Sequence, residues 1–342
     1  MEIRESCFDS HRIEDMCMGA GIVPISTDET GTPHLLLGRE RWIPQWRGSC
    51  RWSGFEGARK CDEDVVAAAS REFWEESMGV VRFTGDTKPI PVYVVACTLR
   101  MKRFWRRIVL RIDGGRRAER YHCTYVVPVP WDVNTPERFR EMRCKIEHID
   151  RLFQELRHTR PRCLGEFGEH IGNVHENEDG SVTAYKLACT CPCILRTPWS
   201  IATDNADLVG ATFTNEDQRR RVLEWFRTRE RLERALVVHP CVRVVRDTKW
   251  GYVQDVCIQR DFLEKDQIRW WSVNELNDVI SERGQLGPER FRPYFLPVLQ
   301  TILSQTGQMV PPVAPRCEPV EPDSEDEVDR CESPSPTEPL PE

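Results

Sequence analysis

The chain lacks any apolar run of membrane-spanning length, which excludes a helical bilayer span. Its first residues, Met1-Glu-Ile-Arg-Glu-Ser6, lack the apolar centre of a signal peptide. No internal repeat is visible, and no two cysteines have the C-x2-C spacing of a zinc knuckle. The nearest approach, Cys189-Thr-Cys-Pro-Cys193, alternates and reads as plain buried thiols on a strand or loop. Fifteen cysteines among 342 residues are many, but the count is odd and no secretion leader accompanies it. Reduced thiols in an intracellular, cytoplasmic protein without a membrane partner are therefore expected, not a disulfide framework. An excess of positive charge is missing too. The formal net charge is -7, and much of it comes from the last residues, which leaves a nearly balanced body.

What the chain does have is concentrated in one stretch. Glu72, Glu75 and Glu76 stand at i, i+3 and i+4. On a helix they share a face, where like charges repel and each carboxyl tends to keep its proton. A divalent cation relieves that conflict, and hard oxygen ligands suit Mg2+ or Mn2+ bound together with substrate phosphates. The helix itself is expected from Asp64 to Ser77. That segment has no Gly or Pro, and it contains Ala67, Ala68 and Ala69. Val66, Ala69, Phe73 and Ser77 make a stripe to bury, acids crowd the N-terminal end, and Gly79 lies past the exit.

Upstream stand Gly57 and Glu63, and Arg71 precedes the carboxylates. The series Gly57-x5-Glu63-x7-Arg71-Glu72-Phe73-Trp74-Glu75-Glu76 resembles the box of the Nudix hydrolases, G-x5-E-x7-R-E-U-x-E-E-x-G-U, where U is a bulky aliphatic residue. Two places depart from it. Ser77-Met78-Gly79 either adds a residue or puts Met78 where the box has glycine, and Phe55-Glu56 stands where many members carry Pro-Gly. The resemblance implies that Glu72, Glu75, Glu76 and the Gly57 carbonyl hold the metal, while Glu63 and Arg71 pair structurally. It implies hydrolysis of a nucleoside diphosphate linked to a further moiety X, by attack of water on phosphorus. The proton goes to Glu76 in some members and to a glutamate of a distant loop in others; Glu264, Glu119 and Glu56 are the candidates here. Glu76→Gln is expected to leave the fold intact and cut turnover by orders of magnitude.

The flanks fit the same architecture, a Nudix-type α/β/α sandwich with a mixed sheet. Strands are expected at 19–26 and 34–39, joined by a turn at 27–32, and again at 91–98 and 122–129. The stretch 268–276 reads as a closing strand and helix, and 291–303 as the last helix. The expected division is a first core part at 17–133, an insertion folding onto it at 134–246, closing elements at 247–306, and a disordered acidic, Pro-rich tail at 307–342. The insertion should contain helices at 136–156 and 215–236. Glu166, Glu169, His170 and His175 read as a solvated polar loop.

Between Arg100 and Arg120 nine basic residues face only Asp113 and Glu119, with Phe104 and Trp105 among them and a hairpin turn expected at Asp113-Gly-Gly115. Such a ribbon could hold phosphates through Arg103, Arg106 and Arg107 and stack on bases. As a solvated hairpin it would instead pair with acidic surface. The substrate alternatives that follow are a phosphorylated small molecule, a capped RNA guided by the ribbon, or a diphosphoinositol phosphate. A non-catalytic binding module is disfavoured by the intact Glu72, Glu75 and Glu76.

Overall fold

A computed structural model describes residues 3–4, 16–83, 92–112, 120–159, 171–187, 208–246, 253–281 and 290–306. At its centre is a mixed sheet of nine strands. The long strand β2 (Cys17–Thr27) is the middle. β7 (Arg120–Pro128) runs parallel to it, and β6 (Arg106–Ile112) and β1 (Ile3–Arg4) extend that side antiparallel. On the other side β2 changes partner. Its Gly19–Ile22 half pairs with β5 (Phe55–Ala58), and its Ile25–Thr27 end pairs with β3 (Pro33–Glu40). β3 then lies between β13 (Lys265–Ser272) and β4 (Arg51–Ser53), and β14 (Arg290–Phe291) runs parallel to β4. The sheet therefore forks, with β5 staying on β2 while β4 follows β3. Ser53 and Phe55, two residues apart, stand on opposite prongs.

Helices cover both faces. On one face α1 (Val65–Glu76), α2 (Val92–Arg100), α3 (Thr135–His158) and α4 (Glu216–Ala235) share a core with Ile22, Phe55 and Tyr125. On the other, α5 (Val273–Ser281) and α6 (Leu296–Thr306) cover Trp52, Val126 and Trp271. A three-stranded sheet of β8 (Ile171–Glu176), β9 (Val182–Leu187) and β10 (Leu208–Phe213), and a ribbon of β11 (Val242–Arg246) and β12 (Val253–Ile258), complete the described elements. The class is mixed α/β. Among the described residues no helix is long and apolar enough to cross a membrane, and Cys17, Cys50, Cys61, Cys97, Cys123, Cys144, Cys241 and Cys257 form no disulfide with one another.

One expected strand is a helix. Residues 91–98 read as extended because Val, Tyr and Val crowd there, yet Val92–Arg100 is α2. Val95 and Leu99, four apart, are buried, while Val92, Tyr93 and Cys97 are exposed. One apolar stripe docks in the core shared with α1, and that burial outweighs a modest loss of helix propensity. The expected turn at 113–115, residues 189–193, Glu166, Glu169, His170 and the acidic tail all lie outside the described residues.

The exit of α1 explains the departure at Met78. Its amide donates to the Glu75 carbonyl (3.1 Å) and the Gly79 amide to the Trp74 carbonyl (3.0 Å), the paired bonds of a Schellman cap. That cap requires a left-handed residue, and Met78 supplies it at φ 54°. A side chain there costs about 1–2 kcal/mol. Met78 is also fully buried, and burying such a side chain returns about 1.5–3 kcal/mol, so methionine is tolerated where glycine would be conventional. The Met78 carbonyl is then held by His239 Nε2 at 3.2 Å. The Cys241 amide donates to His239 Nδ1 (3.2 Å), so the proton sits on Nε2 and the ring is neutral. Burial lowers the His239 pKa. A depressed pKa gives stability that is present above the unfolded value of about 6.5 and is lost as pH falls toward the folded value. In urea unfolding, the wild type should therefore lose more stability between pH 7.5 and 5.5 than His239→Gln does. Parallel losses would remove the latch from the argument.

Candidate active site

Three elements meet at the fork. β5 presents Glu56 and Gly57, α1 presents Arg71, Glu72, Glu75 and Glu76, and the short 3-10 turn Arg260–Leu263 leads into Glu264 and Lys265. Asp64 caps α1, accepting the Ala67 amide at 2.6 Å, and this fixes where the carboxylate face begins.

Arg71 is the hub. Its Nε and Nη2 grip both oxygens of Glu63 (2.6 and 2.9 Å), and Nη2 also donates to the Ala58 carbonyl (3.0 Å), which ties the loop to the helix. The expected Glu63–Arg71 pair is therefore present. The same guanidinium does more than was expected of it: Nη1 donates to Glu72 Oε1 at 2.7 Å and to Glu75 Oε2 at 2.9 Å. The Glu72 carboxyl packs directly on Gly57, and any Cβ at that position would collide with it. A side chain at position 57 would have to push the Glu72 carboxyl out of this place, so glycine is what lets the two approach so closely.

Burial raises the pKa of Glu72 and outweighs Arg71, with Glu75 and Glu264 adding repulsion. Burial also raises Glu75, again against Arg71, and Glu264, where Glu40 and Asp261 add to the effect. These are crowded carboxyls that resist ionising in the absence of a cation.

Glu76 turns inward. Only 1% exposed, it accepts the Glu56 amide at 2.7 Å and lies 3.2 Å from Lys265 Nζ. Lys265 is itself wholly buried, bonded to Glu40 (2.6 Å) and Ser53 (2.9 Å), while Arg292 donates to the same Glu40 oxygen at 2.8 Å. Burial alone would lower the Lys265 pKa, but Glu76 and Glu40 outweigh it and raise it. Its stem fits because Gly38 opposite leaves the space. Next to this set, burial acts to raise the Glu56 pKa, yet the His122 bond at 2.9 Å holds it below the usual carboxylate range. Among the described residues Glu56 Oε1 is buried without a partner.

Sequence reasoning missed Glu40, Ser53, His122, Lys265 and Arg292. Glu40, Ser53, His122 and Lys265 lie on four different strands and Arg292 just past β14, and only strand pairing brings them together. One signal was available. Lys265 stands directly opposite Glu40 in the β3–β13 register, but that register is visible only after folding.

The basic ribbon is less open than expected. β6 carries Arg106 and Arg107, both half-buried and each engaged within the chain. The register Arg107–Tyr125–Ile22–Phe55 places β6 level with the site but three strands away, about 14 Å at ordinary strand spacing. Arg103 is exposed just before the strand, and Glu119 lies outside the described residues. His175, on β8, stands apart from the carboxylates.

The donors suit a hard cation, being carboxylates with a backbone carbonyl at hand. Glu72 and Glu75 each spend one oxygen on Arg71, and the Gly57 cradle brings main chain against Glu72. Among the described residues no three His, Cys, Asp or Glu groups converge closely enough to enclose an ion. A groove of about 670 Å³ opens elsewhere, between Glu176–Val182 and α4. Its Arg219, Arg220, Arg227 and Arg231 are paired with Glu216, Asp217, Glu176 and Glu155, so its charge is already balanced and the chemistry is better sought at the fork.

No protein-family model matches the chain, and no curated protein does. Solved structures give partial likenesses. A Nudix hydrolase from M. smegmatis, RenU, aligns at 14% identity and TM-score 0.24 over 34% of this chain and 63% of that one. A C. elegans Ap4A hydrolase aligns at 18% and 0.22 over 33% and 66%. A bifunctional NMN adenylyltransferase/ADP ribose pyrophosphatase from Francisella tularensis, complexed with AMP and manganese, aligns at 18% and 0.23 over 34% and 28%. The chain thus spans less than two thirds of each of these proteins, and likeness at this level carries no argument about what it does.

Proposed function

We propose that this chain is a metal-dependent hydrolase of the Nudix type, cleaving the diphosphate bridge of a nucleoside-diphosphate-X substrate by attack of water on phosphorus. The observation that carries the reading is the Arg71 hub, which binds Glu63, Glu72 and Glu75 at once beside Gly57 on β5. An ordinary acidic surface helix has no reason to bury two carboxyls on one guanidinium beside a glycine while the same guanidinium holds a third from the preceding loop.

In this reading Glu72, Glu75, Glu76 and the Gly57 carbonyl hold Mg2+ or Mn2+. The ion, when bound, neutralises phosphate charge and acidifies a water. Arg71 fixes one oxygen of Glu72 and of Glu75, which leaves the second oxygen of each for a ligand. Glu76 shares its charge with Lys265 and holds the Glu56 amide, so it sets the position of β5 relative to α1. Glu264 is favoured to take the proton. Its pKa is raised by burial and neighbouring acids, and a carboxylate whose pKa is raised toward the working pH is a better base. Glu56 is sealed and committed to His122. Arg103, the exposed member of the ribbon trio, is the one open to a substrate phosphate. Residues 17–133 and 247–306 would form the catalytic core, with 134–246 as an insertion packed on it and 307–342 as a tail.

The test is a panel assayed with Mg2+ or Mn2+ in 18O-labelled water: nucleotide sugars, dinucleoside polyphosphates, oxidised nucleoside triphosphates, capped RNA and diphosphoinositol phosphates. Label in a phosphate product supports the reading. A panel wholly inert at saturating metal sinks it.

A further inference from the structure

We propose that the loop Arg41–Cys50 is a stacking platform for the base of a nucleotide, with Trp42 as its face; this rests on the hydrolase reading of the same site. The loop joins β3 to β4, the paired strands of one prong of the fork. Its first residue is fastened to the candidate base, since the Arg41 amide donates to the Glu264 carbonyl at 2.8 Å. Trp42 is the next residue, one Cα step of about 3.8 Å away. Trp42 is 69% exposed.

An exposed tryptophan alone says little, because single apolar side chains are common on surfaces. This one is carried by a loop that is held rigid. Ser49 Oγ donates to the Ile43 carbonyl (2.7 Å) and accepts the Ile43 amide (2.9 Å). The Ser49 amide donates to the Trp46 carbonyl (3.1 Å) and the Cys50 amide to the Glu40 carbonyl (3.1 Å). Two residues with side chains, Gln45 at φ 64° and Cys50 at φ 57°, sit in the left-handed region. Such strain persists only where surrounding bonds enforce it, and it gathers at ligand clamps.

The two tryptophans of the loop are used differently. Trp46 is backed by the Arg292 guanidinium, 5.4 Å from its ring centre, and the same guanidinium lies 4.5 Å from the Tyr294 ring. Trp46 also fills the space that a side chain at Gly48 would need. It is a structural member, tied through Arg292 to Glu40. Trp42 has no such ring or cation contact among the described residues. An open indole on a loop whose backbone is fastened at Arg41 to the Glu264 carbonyl matches a planar heteroaromatic group joined to a diphosphate, and indole–base stacking tolerates any base.

The experiment measures ADP, GDP and inorganic pyrophosphate binding by calorimetry with Mg2+, for the wild type, Trp42→Ala and Trp42→Phe. KM and kcat on the best nucleotide substrate are measured beside it. The exposed position lets both variants fold, which a thermal melt checks. Trp42→Ala should weaken ADP and GDP about 10- to 100-fold, lower the ADP-to-pyrophosphate affinity ratio, and raise KM more than it changes kcat. Trp42→Phe should recover most of the loss. An unchanged ADP affinity in Trp42→Ala overturns the platform even if the enzyme is active. Lost ADP binding in a chain that hydrolyses nothing keeps the platform and overturns the hydrolase reading. Wild type that binds pyrophosphate but neither nucleotide better also overturns the platform.

Discussion

Glu72→Gln is expected to lower kcat by about 10²- to 10³-fold, the several kcal/mol a metal-held charge contributes, while raising the melting temperature of the metal-free protein. The two effects have one cause. Glu72 is 9% exposed, packed on Gly57, with its pKa raised by burial. A raised folded pKa means stability that is fully present below the unfolded value and is lost as pH rises through the folded one. At neutral pH and above, the ionised side chain therefore strains the metal-free fold, and glutamine removes the strain while its amide oxygen can still accept from Arg71. The gain in stability over wild type should grow with pH and vanish in acid. Adding Mg2+ should stabilise the wild type more than the variant, since a ligand adds stability only where it binds. Calorimetry across pH with parallel kinetics checks this. A variant that loses both stability and turnover would mean that Glu72 is only a structural member of the Arg71 hub.

Lys265→Met should cost about 3–5 kcal/mol of folding stability at neutral pH, the usual penalty for leaving buried charge without its partner. Methionine keeps the stem that lies against Gly38, so little packing is lost, but Glu40 and Glu76 lose the ammonium between them. Arg292 still serves Glu40, and Glu76 keeps only the Glu56 amide among its described bonds. The sign with pH is distinctive. Lys265 has a raised pKa, so its own contribution is complete below about 10.5 and adds no slope between pH 5 and 9. The stranded Glu76 carboxyl, whose pKa burial already raises, does add one in the variant, and the deficit should shrink as acid protonates it. Combining Lys265→Met with Glu76→Gln should recover part of the loss in urea unfolding, because removing both partners leaves less unpaired charge than removing one. If the double variant is no better than the single one, the pair is not coupled. The same network corrects the expectation for Glu76→Gln. That change removes a partner of Lys265 as well as any metal ligand and at the same time relieves a carboxyl whose pKa burial holds well above the usual range, so its effect on stability sums two opposing parts, and Glu72 and Glu75 are the cleaner probes.

These two sites differ in how far the sequence disclosed them. Gly57, Glu63, Arg71 and the three glutamates could be placed because fixed spacing on one turn and one helix is local information. The bond from Arg71 to Glu72 and Glu75 is only a matter of rotamers added to that. Lys265 and Glu40 lie 225 residues apart, and their meeting depends on a strand register that local sequence does not set. Residues 91–98 failed for a related reason. β-branched residues favour extension in isolation, but a helix there buries Val95 and Leu99 against the core, and packing decided. Trp42 was invisible because nothing in Arg41-Trp-Ile-Pro-Gln-Trp46 marks one indole as exposed and the other as braced.

The His239 latch carries a last consequence. A carbonyl at the exit of α1 is held by a side chain 161 residues further along the chain. Chimeras that trade residues 134–246 for a shorter connection are expected to leave that helix end frayed, so under the proposed division the insertion would be a strut of the carboxylate-bearing helix and not a detachable accessory.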